Sequence, residues 1–181
     1  GASVGGKCVG GCGPCDPGAG PASPSAPMRP AGWCPAAAVA GSTFYVFGGH
    51  DGSTLASAEA YDRNTETWGP IAPMGTRRFG PAAAFAGSKI YVFGGSDGSQ
   101  SLDSAEAYDP RTGTWSPIAP MSTARWFPAA AVAGSTIYVF GGHDGRPLAS
   151  AEAYDLNPET WSPIAPMGTR RFGPAAPFAG S

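Results

Sequence analysis

Three cysteines near the start of the chain, Cys8, Cys12 and Cys15, are spaced C-x3-C-x2-C. Three thiolates on one loop can hold an iron–sulfur cluster with one iron left open. Together with Cys34 they could instead bind zinc, and disulfide formation is a third use for four cysteines. Three glutamates, Glu59, Glu106 and Glu152, stand in identical AEAYD settings. Carboxylates placed roughly 5–10 Å apart across one bond are the apparatus of glycoside hydrolysis. His50 and His143 each open an HDG loop, and imidazole is a common metal ligand. Arginine stands beside an aromatic three times, as Arg78-Phe79, Arg125-Trp126 and Arg171-Phe172, and Arg77 and Arg170 add a second cation to two of these sites. Arg and aromatic side chains are enriched at interface hot spots, and the guanidinium fork suits carboxylates.

Which of these chemistries is open depends on the elements that carry the residues. A Gly-Gly pair, a Tyr-Asp step and a lone Trp recur three times: Gly48-Gly49, Tyr61-Asp62 and Trp68; Gly94-Gly95, Tyr108-Asp109 and Trp115; Gly141-Gly142, Tyr154-Asp155 and Trp161. The steps are 46 and 47 residues. A period of this length built from short strands and turns means one repeated supersecondary unit. Within residues 35–76, PAAAVA (35–40) is short and small, and TFYVF (43–47) is apolar on both alternating faces, as in a strand buried on both sides. ASAEAYD (56–62) alternates, and TWGPIA (67–72) carries Pro70, which confines it to a sheet edge. Four short antiparallel strands per unit are predicted, with no helix. The first strand is nearly all alanine, while the later strands carry the bulk. Units packed radially need small residues where they crowd the axis and large ones where they diverge.

The string YVFGGHDG…LASAEAYDRNTETWGPIAPM resembles the kelch repeat, with its double glycine, Glu-x-Tyr-Asp, spaced Trp and terminal Pro-Met, and the resemblance covers residues 33–181. It implies an all-β, kelch-type β-propeller arc of three four-stranded antiparallel blades plus one further strand, an incomplete ring. Blade 1 is placed at 33–76, blade 2 at 77–123, blade 3 at 124–169 and the first strand of a fourth blade at 170–181. The loops after strands two and four then share one face, the face that in the family often binds partners. The family commonly has an arginine where Arg78, Arg125 and Arg171 stand, so structure and binding compete evenly for that set. Arg77 and Arg170 are extra to the pattern and favour binding. Where the family usually has His, this chain has Pro81, Pro128 and Pro174.

A second period of 93 residues overlays 36–88 on 129–181 with 46 of 53 positions identical. The same register reads residues 1–32, low in complexity and without Leu, Ile, Phe, Tyr or Trp, as a decayed and disordered half-blade. Three blades fall short of the about four to eight that close a ring. A longer parent propeller, pairing of two chains, or a closing blade built from both chain ends would each complete it, and open blade edges invite self-association.

This framework decides among the chemistries. Two of the clustered cysteines fall in register on Ala105 and Tyr108, ordinary strand positions. Their spacing also resembles the cluster triad of radical S-adenosylmethionine enzymes, whose α/β barrel nothing here builds. No ligand role is assigned to them. Glutamates repeating around a ring suit bonds to backbone or arginine better than a shared bond to cleave. The histidines, lacking a third ligand, read as loop polars, so neither metal nor cofactor is expected. Only 13% of residues are charged, against a usual ~25%, and the net charge is −2. No Lys/Arg run exceeds two, which excludes a nucleic-acid footprint. No apolar stretch spans a membrane and residues 1–30 lack an apolar leader core, which points to the cytoplasm. The expected function is a non-catalytic scaffold that binds a protein or peptide through Arg77, Arg78, Phe79, Arg125, Trp126, Arg170, Arg171 and Phe172, with His50, Asp51, Asp97, His143 and Asp144 from the neighbouring loops. The alternatives are a piece of a kelch-containing enzyme, such as an oxidase with copper on Tyr and His, or of a ubiquitin-ligase substrate adaptor.

Overall fold

The computed structural model describes residues 33–174, and among them every regular element is a strand of five residues. The first sheet holds β1 (Ala36–Ala40), β2 (Thr43–Phe47), β3 (Ala58–Asp62) and β4 (Thr67–Ile71). The second holds β5 (Ala82–Ala86), β6 (Lys89–Phe93), β7 (Ala105–Asp109) and β8 (Thr114–Ile118). The third holds β9 (Ala129–Ala133), β10 (Thr136–Phe140), β11 (Ala151–Asp155) and β12 (Thr160–Ile164). Each is an antiparallel meander in chain order, with the proline-bearing strand on the edge, where the missing N–H is harmless. The expected half-blade at 1–32 and the final strand segment 175–181 lie outside the described residues.

Register explains why the repeat needs its aromatics. Across the first sheet, Val39, Phe44, Tyr61 and Trp68 are paired in one row, and Ala38, Tyr45, Ala60 and Gly69 form a row on the other face. Tyr45 and Phe47 pack forward onto Ile90, Val92 and Tyr108 of the second sheet. Tyr91 and Phe93 pack likewise onto Ile137, Val139 and Tyr154 of the third. The inner strands β1, β5 and β9 lie side by side, and their alanines are mostly buried, as radial crowding requires. Only β6 is enclosed on both faces: Ile90, Tyr91, Val92 and Phe93 are all buried, whereas Phe44 in the first sheet is 38% exposed. The expectation of strands buried on both sides thus holds in full only where a sheet has two neighbours.

The repeated motif is mostly joinery between sheets. The Trp115 indole N–H donates to the Ala72 carbonyl and that of Trp161 to Ala119, each at 2.8 Å, across the sheet boundary. The aspartate of each Tyr-Asp step caps the turn after its strand: Asn64, Arg111 and Asn157 N–H groups donate to Asp62, Asp109 and Asp155 at 2.7–2.9 Å. At the glycine pairs, positive φ and close approach coincide. A β-carbon on Gly48 would collide with the Arg78 carbonyl, and one on Gly49 would stand 2.9 Å from the Trp33 carbonyl.

Candidate functional site

Alternating strand direction puts the loops after β2, β4, β6, β8, β10 and β12 on one side. These loops interlock through backbone pairs. Phe79 and Ser96 exchange two hydrogen bonds of 2.8 Å, and Trp126 and His143 exchange bonds of 2.8 and 2.9 Å. Trp33 pairs with His50 in the same way, and the Arg171 N–H donates to Leu148. The side chains leading into each sheet are thereby held beside the loop that follows the sheet's second strand.

Arg78 and Arg125 do not reach the loop surface. Both are fully buried and form an inter-sheet clasp. Arg78 Nη1 donates to the Gly94 and Ser104 carbonyls at 2.8 and 2.9 Å, and Nη2 donates to Ser104 Oγ and to Glu106 Oε1 at 3.0 and 2.9 Å. The Glu106 carboxylate also accepts the Gly75 and Thr76 N–H groups at 2.7 and 3.1 Å. Arg125 repeats the arrangement on Gly141, Ser150 and Glu152. Burial pushes the Arg78 guanidinium down from its ordinary value, while the hydrogen bond and charge of Glu106 oppose that shift. For Glu152, burial pushes the carboxyl up, but hydrogen bonds from Ser122 and Arg125 outweigh it and hold the group below the usual range. The even contest between structure and binding is therefore resolved for Arg78 and Arg125. A guanidinium with every donor engaged and no exposed surface cannot greet a partner. Glu106 and Glu152, bonded to backbone and arginine as expected, are equally committed.

Arg171 has the same sequence position as those two arginines but is exposed, as are Arg77 and Arg170. Arg77 Nη1 donates to the Thr54 carbonyl at 3.1 Å. His50 and His143 accept the N–H groups of Gly52 and Gly145 on Nδ1 at 3.2 and 3.1 Å, closing their loops; Ser96 does the same for Gly98. Asp51 accepts from Ser53, and Asp97 from Ser99 and Gln100, bonds that lower the Asp97 carboxyl from its ordinary value. Asp144 is exposed in its loop. Among the described residues no three His, Cys, Asp or Glu converge as metal ligands. Cys34 is disulfide-bonded, which removes its sulfur as a zinc ligand; Cys8, Cys12 and Cys15 lie outside the described residues.

What the structure does bring together is aromatic. Phe79 meets Trp126 at 5.6 Å between ring centroids, and Trp126 meets Phe172 at 6.0 Å. His50 flanks Phe79 at 5.4 Å, and His143 lies 5.5 Å from Phe172. A residue that sequence reasoning did not single out completes the cluster. Phe127 lies 5.4, 4.9 and 5.2 Å from Phe79, Trp126 and Phe172. Its backbone is left-handed, with φ 51°, at a position where the repeat elsewhere has Gly80 (φ 61°) and Gly173 (φ 59°). That conformation costs an L-residue about 1–2 kcal/mol. The Phe127 ring lies over Gly80, filling the space a β-carbon there would take, and the Phe127 N–H donates to the Gly80 carbonyl at 2.9 Å. The legible signal was the repeated Arg-Phe-Gly-Pro becoming Arg-Trp-Phe-Pro in one copy.

A family model described as the KLHDC2/KLHL20/DRC7 Kelch-repeats domain matches residues 22–177. No curated protein matches the chain.

Proposed function

The chain belongs to the kelch-repeat family, and on that premise we propose that it is a non-catalytic scaffold whose loop face binds a protein or peptide. Kelch-repeat domains are generally protein-interaction modules, so the class follows from the family. The choice of face rests on one observation: the loop-side rings of successive sheets touch one another in a single arc from His50 through Phe79, Trp126 and Phe127 to Phe172. Interface cores favour such rigid aromatic area, rimmed by exposed Arg77, Arg170 and Arg171. The near-identity of the first and third repeats supports the lack of catalysis, since an active site needs unlike groups converging once.

Affinity capture with the full chain tests the reading. A protein retained by the parent should be lost from an Arg77→Ala, Arg170→Ala, Phe172→Ala variant whose melting temperature is unchanged. Equal retention by both, or retention of nothing, refutes it.

A further inference from the structure

Three features of the loop face are unexplained by holding sheets together. The first is Phe127, a large side chain kept at φ 51° where glycine serves elsewhere. The second is the Trp126 indole N–H, which is buried and has no acceptor among the described residues, whereas the indoles of Trp115 and Trp161 each reach a carbonyl. A buried donor without an acceptor is rare in a folded protein and points to a missing ligand or water. The third is charge. On the third sheet's loops, Arg146, Arg170 and Arg171 are exposed with Asp144 as their acidic neighbour. Near the first two sheets Asp51, Asp97 and Asp103 outnumber Arg77. The arc therefore runs from an acidic to a basic end. The 2.9 Å bond from the Arg171 N–H to Leu148 pins the segment leading into Phe172 against the loop that carries Arg146.

We infer that this arc binds an extended acidic peptide carrying one large apolar side chain, an inference that rests on the scaffold reading above. The apolar side chain lies on Phe127 and Phe172, and the carboxylates lie at the Arg146, Arg170 and Arg171 end. Phe172 is 52% exposed and meets Trp126 edge-on. Turning it aside opens the indole N–H to a peptide carbonyl. Charge sets the polarity of the bound chain: its acidic end must face the third sheet, because the opposite orientation places carboxylates against Asp51 and Asp97. The strained Phe127 backbone fits the same account, since strain at a surface ring is kept where the ring has a task beyond folding.

The probe is the capped peptide acetyl-Asp-Asp-Phe-Gly-amide, titrated into the full chain while the five indole N–H resonances are followed, that of Trp126 being assigned with Trp126→Phe. Saturable binding with a shift of the Trp126 resonance is expected. Replacing both aspartates of the peptide by lysine, or its phenylalanine by alanine, should weaken binding tenfold or more. Phe127→Gly should also weaken it at least tenfold without lowering the melting temperature, because glycine accepts the positive φ. If that variant fails to fold, Phe172→Ala at the exposed end should give the same loss. Equal binding of the lysine peptide, binding that ignores both variants, or no binding overturns the inference. When the peptide fails but affinity capture still responds to the loop variants, the scaffold reading stands and only the peptide chemistry falls; when both fail, both fall.

Discussion

Replacing Glu106 by Gln leaves a fully buried arginine without its counter-charge, and the consequence can be sized from the geometry. In the parent, Glu106 accepts four hydrogen bonds: from the Gly75 and Thr76 backbone and from Arg78 Nε and Nη2. A glutamine can keep its carbonyl on the Gly75 N–H, but its amide then presents donors to donors at Arg78. Breaking a buried ion pair by removing one partner costs about 3–5 kcal/mol. Arg78 retains the Gly94 and Ser104 acceptors, so about 3 kcal/mol is expected. For a chain of this size that lowers the melting temperature by roughly 6–12 °C. The surface pair Arg111–Asp109, at 3.8 Å with the arginine 87% exposed, provides the contrast: Arg111→Ala should cost less than about 0.5 kcal/mol. Urea unfolding of the two single variants and of Arg78→Met with Glu106→Leu is the assay. The double variant should be more stable than Glu106→Gln, because an apolar pair strands no charge. Since the clasp crosses a sheet boundary, the dependence of stability on urea should also fall for Glu106→Gln as the cooperative unit shrinks. A Glu106→Gln variant within 1 kcal/mol of the parent would refute the reasoning.

Gly95→Ala should cost more than about 2 kcal/mol in the same assay, because φ 89° and a β-carbon 3.0 Å from the Phe79 carbonyl both oppose it. Glu66→Gly and Glu159→Gly, at φ 54° and 63° where the middle repeat has Gly113, should each raise stability by about 0.5–1 kcal/mol. Burial raises the phenols of Tyr91 and Tyr108 and, reinforced by Glu159, pushes that of Tyr154 up to about 12. The unfolded chain therefore loses these protons first, and stability falls as pH rises from 10 towards 12; unfolding midpoints independent of pH across that window would contradict the burial of these rings.

The strands were legible because their signals are local: TFYVF and TIYVF end at glycine pairs, and Pro70, Pro117 and Pro163 mark an edge. Even so, β3 begins at Ala58 rather than Ala56, since the Ala56 and Ser57 carbonyls bind Met74 and Gly48 instead of the ladder. The fate of the arginines was not legible. Arg78 and Arg171 share the string GTRRFG, yet one is sealed by a following sheet and the other is exposed. Burial depends on what lies 28 residues on, at Glu106. Phe127 was missed for a similar reason: its meaning lies in a backbone angle, which a run of apolar letters does not display.

The indole and guanidinium joints have a bearing on how such a chain changes over generations. Each sheet carries the same sockets at its front and the same plugs at its back, so a gene segment encoding whole sheets can be copied or deleted without orphaning a plug. The 93-residue copy spans two sheets and reproduces both junctions at once. Recombination at any point in the loop between sheets is structurally quiet, while recombination between β2 and β3 would separate a glycine pair from the arginine carbonyl it was shaped to receive.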